Sequence, residues 1–507
     1  MERYLLGVDV GTTGTKTALF SETGGMISLD YESYALSTPA VGYSEQSAED
    51  LWNAVVKTIR TVCQGKVEPE QVAAISLSLQ GGTLIPVDQD FEPLRPAIVW
   101  SDTRCAREAK EFAEVFGVDY MYQKTGWELE NSLVAMQLLW LRRNEPELFE
   151  KAAMFLSVPD FIAAKLTGIP ALDLSDAGIN QLADIHTGTY DKAILEYIGI
   201  KEEQLGKIVP SGHVIGNLTA QAAKLLGLTE KTVLVSGAHD QYAVAAGAGC
   251  IKSGDILIGT GTAWVVTALS EEWDFENGFS QSAAAFHDLK GSLVSLSTGG
   301  VCLEWLRRNV AKGAGEEEMV SYDVLNEKAA QKEIGTGGLM FYPYFSGASY
   351  PVADSASKAS FIGLDMSHDR FDMVRAVMEG VAFQIVWSLE GFREKFPASA
   401  IKLAGGATKS PLWCQIIADV ADLPVRIPEI ADLACVGAAL LAGVGCGVYA
   451  SAEEGYRSLA VRETEILPDP LSVERYAKAF GSYKKGAAQL GALYEDLRKQ
   501  DCGDEKR

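Results

Sequence analysis

The chain is predicted to adopt an α/β fold built from two related lobes. Residues 7–16 and residues 259–262 each form a glycine-threonine segment between two apolar runs, which predicts a tight turn joining paired strands. Strand patterns alternate with helical patterns along the sequence, as in α/β proteins. A length of 507 residues exceeds what one hydrophobic core supports. We therefore expect two lobes of similar construction facing each other.

Composition indicates a globular protein and excludes some kinds of partner. The chain is 47% apolar and 22% charged, which is typical of globular proteins. A formal net charge of −24 argues against nucleic-acid and anionic membrane partners. The eight cysteines form no CxxC pair, and neither a signal-peptide pattern nor an apolar run of spanning length is present. We expect reduced thiols and a cytoplasmic location.

The first half opens with a hairpin over residues 1–20. Apolar Leu51, Val55 and Ile59 predict a helix over residues 49–62, and apolar runs predict strands at 73–79 and 85–87. Further helices are predicted over residues 104–116 and 132–143. The small-residue run at 245–249 marks a change of composition, so we divide the chain into lobes at residues 1–247 and 248–498.

The second half repeats the alternation. The pattern predicts a long helix over residues 370–392, a strand at 401–404 and a helix at 411–421. A closing helix is predicted over residues 476–497. The charged tail, residues 499–507, is expected to be loose.

The two glycine-threonine turns indicate phosphate binding. Glycine lets the backbone amides approach an anion closely, and threonine hydroxyls add donors. Asp9 lies in an apolar strand two residues before the first turn, where a Mg²⁺ ion bridging to phosphate would stabilise its charge. Capping of the turn amides is the alternative role. Residues 405–411 join a strand to a helix and would face an anion or ribose, although such glycines also form simple tight turns.

Asp240 follows the apolar strand at residues 232–235 and opens an alanine-rich helix. It is placed either as a general base or as a helix N-cap. His239 is expected to be structural. Trp100, Asp102 and Arg104 follow another strand, and this set either contacts a polyhydroxylated molecule or forms a salt bridge.

Taken in order, these motifs resemble the FGGY carbohydrate kinases of the actin, hexokinase and Hsp70 superfamily. The resemblance covers the chain from Gly7 to about Tyr449 and is nearest to the xylulokinase-like members. The matching segments are residues 7–13, 96–104, 159–168, 173–177, 237–241, 259–262, 299–306, 405–419 and 437–439.

The resemblance implies two ribonuclease-H-like lobes with an interlobe cleft, ATP and Mg²⁺ as cofactors, and a small sugar as substrate. It implies Asp240 as the catalytic base and Asp9 as the residue near the metal. A homodimer is compatible with it. The expected nucleotide contacts are Thr12, Thr13, Lys16, Thr260, Gly261, Gly300, Glu304, Gly405, Gly406 and Ser410. The expected sugar contacts are Gln80, Gly81, Gly82, Trp100, Asp102, Asp240 and Gln241.

Some positions depart from the family's patterns. Glycerol kinases carry Arg-Glu, and xylulokinases Met-His, where this chain has Gly81 and Gly82. We expect this difference to leave more room in the sugar pocket. Ser132 replaces a pocket tyrosine of glycerol kinases, and together with the missing Arg-Glu pair this disfavours glycerol as the substrate. Gln241, in contrast, matches the glycerol kinase type.

The sequence thus predicts ATP-dependent phosphorylation of a hydroxyl on a ketose, polyol or sugar acid. Two alternatives remain at this point. One is a kinase for a non-sugar polyhydroxy signal molecule, and the other is a non-catalytic nucleotide-dependent switch on the same fold.

Overall fold

Strands and helices alternate through the chain, as the sequence predicts. The computed structural model describes residues 2–286, 289–311, 319–348, 350 and 353–504, with side chains described as far as residue 497. The strands of this part are β1 (Tyr4–Val10), β2 (Gly14–Ser21), β3 (Met26–Ser33), β4 (Glu45–Gln46), β5 (Val72–Leu79), β6 (Ile85–Val87), β7 (Ala97–Ile98), β8 (Met154–Leu156), β9 (Ala171–Asp173), β10 (Ala183–Asp184), β11 (Thr189–Tyr190), β12 (Lys207–Val209), β13 (Val214–Asn217), β14 (Val233–His239), β15 (Ile256–Thr260), β16 (Trp264–Ser270), β17 (Ser280–Ala283), β18 (Lys290–Leu296), β19 (Met340–Tyr342), β20 (Ser360–Ile362), β21 (Ile401–Gly405), β22 (Val425–Pro428) and β23 (Glu463–Ile466). The α-helices are α1 (Ala48–Cys63), α2 (Ala106–Val115), α3 (Val118–Thr125), α4 (Val134–Asn144), α5 (Pro146–Lys151), α6 (Val158–Thr167), α7 (Leu174–Ile179), α8 (Lys192–Ile198), α9 (Ala220–Leu226), α10 (Asp240–Gly247), α11 (Gly300–Asn309), α12 (Tyr322–Ala330), α13 (Arg370–Ser388), α14 (Glu390–Lys395), α15 (Pro411–Ala421), α16 (Leu433–Gly445), α17 (Ala452–Ser458) and α18 (Pro470–Asp504).

The chain forms two compact units. The first contains residues 1–253, 269–292 and 430–461, and the second contains residues 254–268, 293–429 and 462–507. The division of the sequence at residues 247 and 248 stays a prediction.

A six-stranded sheet organises the first unit, in the order β13, β14, β5, β1, β2, β3. β1 pairs antiparallel with β2 and parallel with β5, and β14 also runs parallel to β5. The register aligns Val10 with Leu79, and Leu79 with His239. The carboxyl ends of these three strands therefore lie at one edge, which is where open α/β sheets bind their ligands. Asp9, Gln80 and Asp240 all lie at or next to these ends.

Helix α16 packs directly against this sheet. A Cβ atom added at Gly7 would lie 1.9 Å from the Cys435 carbonyl oxygen, and one added at Gly437 would lie 1.8 Å from that of Ala243. Only glycine permits these approaches of backbone to backbone. The close packing holds β1 and α10, and with them Asp9 and Asp240, in fixed positions.

The second unit repeats the arrangement of the first hairpin. β15 pairs antiparallel with β16 and parallel with β21, so that Thr260 lies opposite both Trp264 and Gly405. β22 runs parallel to β21, and β23 runs antiparallel to β22. Each unit thus contains the glycine-threonine hairpin that the sequence predicts as a repeat. In each unit the first strand of the hairpin also runs parallel to a third strand.

The helical predictions differ from the structure mainly at helix ends. The helix expected over residues 370–392 is divided at Leu389 into α13 and α14, where the Ser388 hydroxyl donates to the Ile385 carbonyl. A serine hydroxyl bonded in this way competes with backbone N–H groups for the carbonyl acceptors of the helix and often bends it. α18 extends to Asp504. Of the tail at residues 499–507 that the sequence predicts to be loose, residues 505–507 lie outside the described residues. Among the described residues, none of the helices combines the length and apolar character needed to cross a bilayer.

Candidate active site

The turn between β1 and β2 carries the first predicted phosphate segment. The Gly11 N–H donates to the Gly14 carbonyl oxygen at 3.1 Å, which closes the turn. Thr13 is exposed, whereas Thr12 is partly buried and bonded to other side chains. The two threonines therefore occupy different environments, although the sequence alone treats them alike.

Thr12 belongs to a network of hydrogen bonds. Its hydroxyl donates to Gln80 Oε1 at 3.0 Å and accepts the Trp100 Nε1–H at 3.0 Å. Gln80 Nε2 donates to Gln46 Oε1 at 3.1 Å, and Gln46 Nε2 donates to the Thr12 carbonyl oxygen. The structure thus brings together three predicted site residues, Thr12, Gln80 and Trp100. Gln46 was missed by the sequence analysis, because its local sequence contains no recognisable pattern.

Asp9 lies near the end of β1, and Ser78 Oγ donates to its Oδ1 at 2.8 Å. Desolvation is the main cause that raises the pKa of Asp9 to about 7; the Asp432 and Asp240 carboxylates act in the same direction, whereas the bond from Ser78 and the charge of Lys16 act against it. A divalent cation would relieve this desolvation and the repulsion from the neighbouring carboxylates, which the charge of Lys16 offsets only in part. Oxygen ligands are also the kind that Mg²⁺ prefers, so Asp9 fits the predicted metal.

Lys16 lies on β2, directly opposite Asp9 in the register. Its Nζ is 2.8 Å from Asp432 Oδ2, and Asp432 also caps α16 by accepting the Cys435 N–H. The sequence predicts a phosphate contact for Lys16. In this structure its charge is compensated by Asp432, a partner that lies more than 400 positions away in the sequence.

Asp240 is the first residue of α10, at the end of β14. Of the two roles proposed from the sequence, the N-cap position is taken by His239, whose side chain makes no capping bond. His239 Nε2 lies 3.5 Å from Asp240 Oδ1, and the Asp240 side chain is 36% exposed. Within the described residues no hydrogen bond engages the Asp240 carboxylate. The carboxylate is therefore accessible to a bound molecule.

The glycine pair at residues 81 and 82 is enclosed rather than open. A Cβ atom added at Gly81 would lie 2.8 Å from the Ile179 side chain, 2.9 Å from His239 Cδ2 and 3.0 Å from Asp176 Oδ1. The expectation of extra room at Gly81 is thus wrong, because side chains from other elements fill that space. Gln241, another predicted sugar contact, is partly exposed in the first turn of α10.

A buried pair of carboxyl groups lies behind Gly81. Asp173 caps α7, and Asp176 follows in the first turn of the same helix. Burial raises the pKa of both groups, and the charge of Asp173 raises that of Asp176 further. The Ser175 hydroxyl donates to Asp173 and accepts the His239 backbone N–H at 2.8 Å, which ties this helix to the end of β14.

Asp102 and Trp100 have different surroundings. Asp102 is fully buried, and its carboxylate pairs with Arg104 at 2.7 Å and accepts the Ser44 N–H at 2.6 Å. The Arg104 guanidinium lies over the Tyr43 ring at 3.7 Å. Asp102 thus forms the salt bridge that the sequence offered as one alternative, and a sugar contact by Asp102 stays a prediction. Trp100, in contrast, is 46% exposed.

The second unit contains a cavity of about 550 Å³ beside the turn between β15 and β16. Thr260 Oγ1 fixes this region, since it donates to the Ala404 carbonyl at 2.6 Å and accepts the Ala407 N–H at 3.0 Å. Gly405 has a φ of +96°, which turns the chain from β21 into the next loop. The predicted nucleotide contacts that line the cavity are Thr260, Gly261, Gly300, Glu304, Gly406 and Ser410.

Aromatic and acidic groups complete the walls of this cavity. Trp264 and Trp413 pack with ring centroids 4.9 Å apart. Hydrogen bonds from Arg307, Tyr322 and Arg308 lower the pKa of Glu304 to about 2, with the Arg307 bond contributing most. Glu304 is thus a permanent anion held by its own neighbours. The sequence analysis missed the aromatic side chains, because tryptophan in a strand or helix is more often part of a core.

Comparison with known proteins identifies the fold and the class. Residues 4–247 match the N-terminal domain of the FGGY family of carbohydrate kinases, and residues 255–446 match its C-terminal domain. The chain belongs to the FGGY family of carbohydrate kinases. It is a carbohydrate kinase with the fold of the actin, hexokinase and Hsp70 superfamily, as the resemblance implied.

Individual relatives agree with this assignment. The xylulose kinase of Bacillus subtilis is 32% identical over 489 residues, which cover 95% of this chain and 96% of the relative. The gluconokinase of the same organism is 29% identical over 461 residues, covering 89% and 88%. The crystal structure of xylulose kinase from Rhodospirillum rubrum superposes with a TM-score of 0.90 at 27% identity, covering 97% of this chain and all of that one. The predicted resemblance to xylulokinase-like members is confirmed.

Proposed function

We propose that this chain transfers the terminal phosphoryl group of ATP to a hydroxyl of a small sugar, with Asp240 as the general base. The family establishes sugar phosphorylation as the class of reaction. The observation that carries the base assignment is the Asp240 carboxylate, which is accessible, makes no hydrogen bond within the described residues and lies at a carboxyl-terminal sheet edge. Relatives named for xylulose and for gluconate leave both ketoses and sugar acids as candidates.

In the proposed reaction Asp240 accepts the proton of the attacking hydroxyl. The hydroxyl oxygen forms a bond to the γ-phosphorus while the bond from that phosphorus to the ADP oxygen breaks. Proteins accelerate this chemistry mainly by positioning the reactants and compensating the developing charge. Backbone amides at the two glycine-threonine turns and the exposed Thr13 hydroxyl are the groups of this chain suited to holding phosphate oxygens.

Asp9 would hold Mg²⁺, which neutralises phosphate charge when bound. The described residues contain no group of three or more His, Cys, Asp or Glu side chains arranged to bind a metal unaided. The ion would therefore depend on phosphate and water oxygens in addition to Asp9, which is the usual way in which proteins bind Mg²⁺ with nucleotides.

The nucleotide is proposed to occupy the cavity of the second unit. Its size falls within the range of ligand pockets, and Trp264, Trp413 and Tyr322 supply apolar and aromatic walls. The amides of Gly261, Gly300 and Gly406 would approach the ligand without obstruction by side chains.

A substrate panel tests the proposed function. Purified protein is incubated with ATP and Mg²⁺ and with ketoses, polyols, aldonates and dihydroxy signal compounds, and products are detected by mass spectrometry. We expect a sugar to gain one phosphoryl group in a stoichiometric ratio to ADP. Phosphorylation of non-sugar compounds alone, or nucleotide binding without any product, would refute the proposal in favour of the signal-kinase or switch alternative.

A further inference from the structure

The Thr12 hydroxyl is engaged on both sides, which limits what the first turn can offer a phosphate. It accepts from Trp100 Nε1 and donates to Gln80 Oε1, each at 3.0 Å. A hydroxyl has one proton to donate. While the bond to Gln80 is present, that proton is unavailable to a phosphate oxygen.

The orientation of Gln80 is fixed by a second glutamine. The side-chain amide of Gln80 donates its N–H to Gln46, so its carbonyl oxygen faces Thr12. Gln46 in turn donates to the Thr12 backbone carbonyl. Gln46 and Gln80 are only 2% and 3% exposed. The three residues therefore form a closed, buried ring of hydrogen bonds that holds Thr12 at its backbone and at its side chain.

Trp100 is held by this ring at one point only. Its indole N–H is bonded to Thr12, whereas 46% of the residue remains exposed. An indole that is anchored at its polar edge and nearly half exposed provides a fixed surface on which a sugar ring can pack. The orientation of that surface depends on the Thr12 hydroxyl.

We propose that Thr12 is a positioning residue for the sugar, which acts by holding the Trp100 indole, and that Thr13 is the side chain of this turn that donates to phosphate. This inference rests on the proposed function, since it takes the Trp100 indole as a sugar contact. It revises the sequence-based expectation that both threonines face phosphate.

Substitution of Thr12 separates the two roles. Thr12→Val keeps the shape of the side chain and removes its hydrogen bonds, whereas Thr12→Ser keeps the hydroxyl. A lost neutral hydrogen bond corresponds to a change of about three- to tenfold. We expect Thr12→Val to raise the KM for sugar by about that factor while the KM for ATP stays within about twofold, and we expect Thr12→Ser to restore the wild-type values. A raised KM for ATP with an unchanged KM for sugar would overturn the inference.

A double-variant cycle tests whether Thr12 acts through Trp100. Trp100→Phe removes the indole N–H but retains an aromatic face. If the two residues act through one bond, the kcat/KM for sugar of the double variant should be within about twofold of the lower of the two values for the single variants. Multiplication of the two separate effects would overturn the inference. Thr61→Val, at an exposed position in α1, is the matched control and should change nothing.

A spectroscopic measurement tests the hydrogen bond between Trp100 and Thr12 independently of catalysis. The Trp100 indole N–H resonance, assigned by its loss in Trp100→Phe, should move upfield and exchange faster with solvent in Thr12→Val but not in Thr12→Ser. An unchanged resonance in Thr12→Val would overturn the inference even in an active sugar kinase. A changed resonance in a protein that phosphorylates no sugar would instead refute the proposed function, and with it the sugar role of Trp100.

Discussion

Replacing Asp240 by Asn tests the general base directly. The substitution preserves size and shape but removes the ability to take up a proton at neutral pH. Since no hydrogen bond engages the carboxylate within the described residues and over a third of the side chain is exposed, the folded state should lose little. We expect the free energy of unfolding to change by less than about 0.5 kcal/mol.

The effect on turnover should be far larger than the effect on stability. Loss of a general base lowers rates by about 10² to 10⁴, which corresponds to about 2.7–5.4 kcal/mol in the activation free energy. Nucleotide affinity should change little, because Asp240 is not among the residues proposed to hold ATP and is not part of the cavity of the second unit.

The assay measures kcat by coupled ADP release and nucleotide affinity by calorimetry on the same preparations. Asp119→Asn, an exposed carboxylate in the first turn of α3, is the control and should retain full activity. If Asp240→Asn kept more than about a tenth of the wild-type kcat, the base assignment would be wrong.

Three further changes have defined outcomes. Gly82 has a φ of +70°, and an added Cβ would lie 2.8 Å from Leu133 Cδ2. Gly82→His should therefore raise the KM for sugar about tenfold or more at unchanged ATP affinity. Unchanged sugar kinetics would show that this loop is not part of the sugar site. An added Cβ at Gly300 would lie 2.5 Å from the Gly261 carbonyl oxygen, so Gly300→Val should weaken ATP binding by about tenfold or more in calorimetry, and wild-type affinity would contradict the proposed nucleotide cavity. Burial raises the pKa of Asp160 to about 7, above its unfolded value of 3.8. The folded state therefore holds this proton more tightly, and stability from this group is full below pH 4 and falls by on the order of 4 kcal/mol as the pH rises to 7. Denaturant titrations should show a smaller decline in Asp160→Asn, and parallel pH profiles would refute the shift.

The sequence predicted those parts of the structure that depend on local patterns. The hairpins at both glycine-threonine turns were predictable because each turn is bounded by apolar runs that pair with each other. Six of the predicted nucleotide contacts line one cavity because they lie on the turn between β15 and β16, on α11, and on the loop between β21 and α15. Motif order was sufficient for the family as well.

Contacts between residues far apart in the chain could not be predicted from local sequence patterns. The partnership of Lys16 with Asp432 and the ring formed by Thr12, Gln46 and Gln80 depend on how helices and strands pack. The space beside Gly81 was misjudged for the same reason. A missing side chain creates room only if no other element fills it, and here Ile179, His239 and Asp176 lie next to that space.

Asp240 is proposed to accept the proton of the sugar hydroxyl that becomes phosphorylated. A crystal structure of the protein with ADP and the sugar selected by the panel measures this most directly. We predict that the reacting hydroxyl oxygen will lie about 2.6–3.2 Å from an Asp240 carboxylate oxygen, either directly or through one water. A sugar bound with that hydroxyl turned away from Asp240 and directed at a different base would contradict the account.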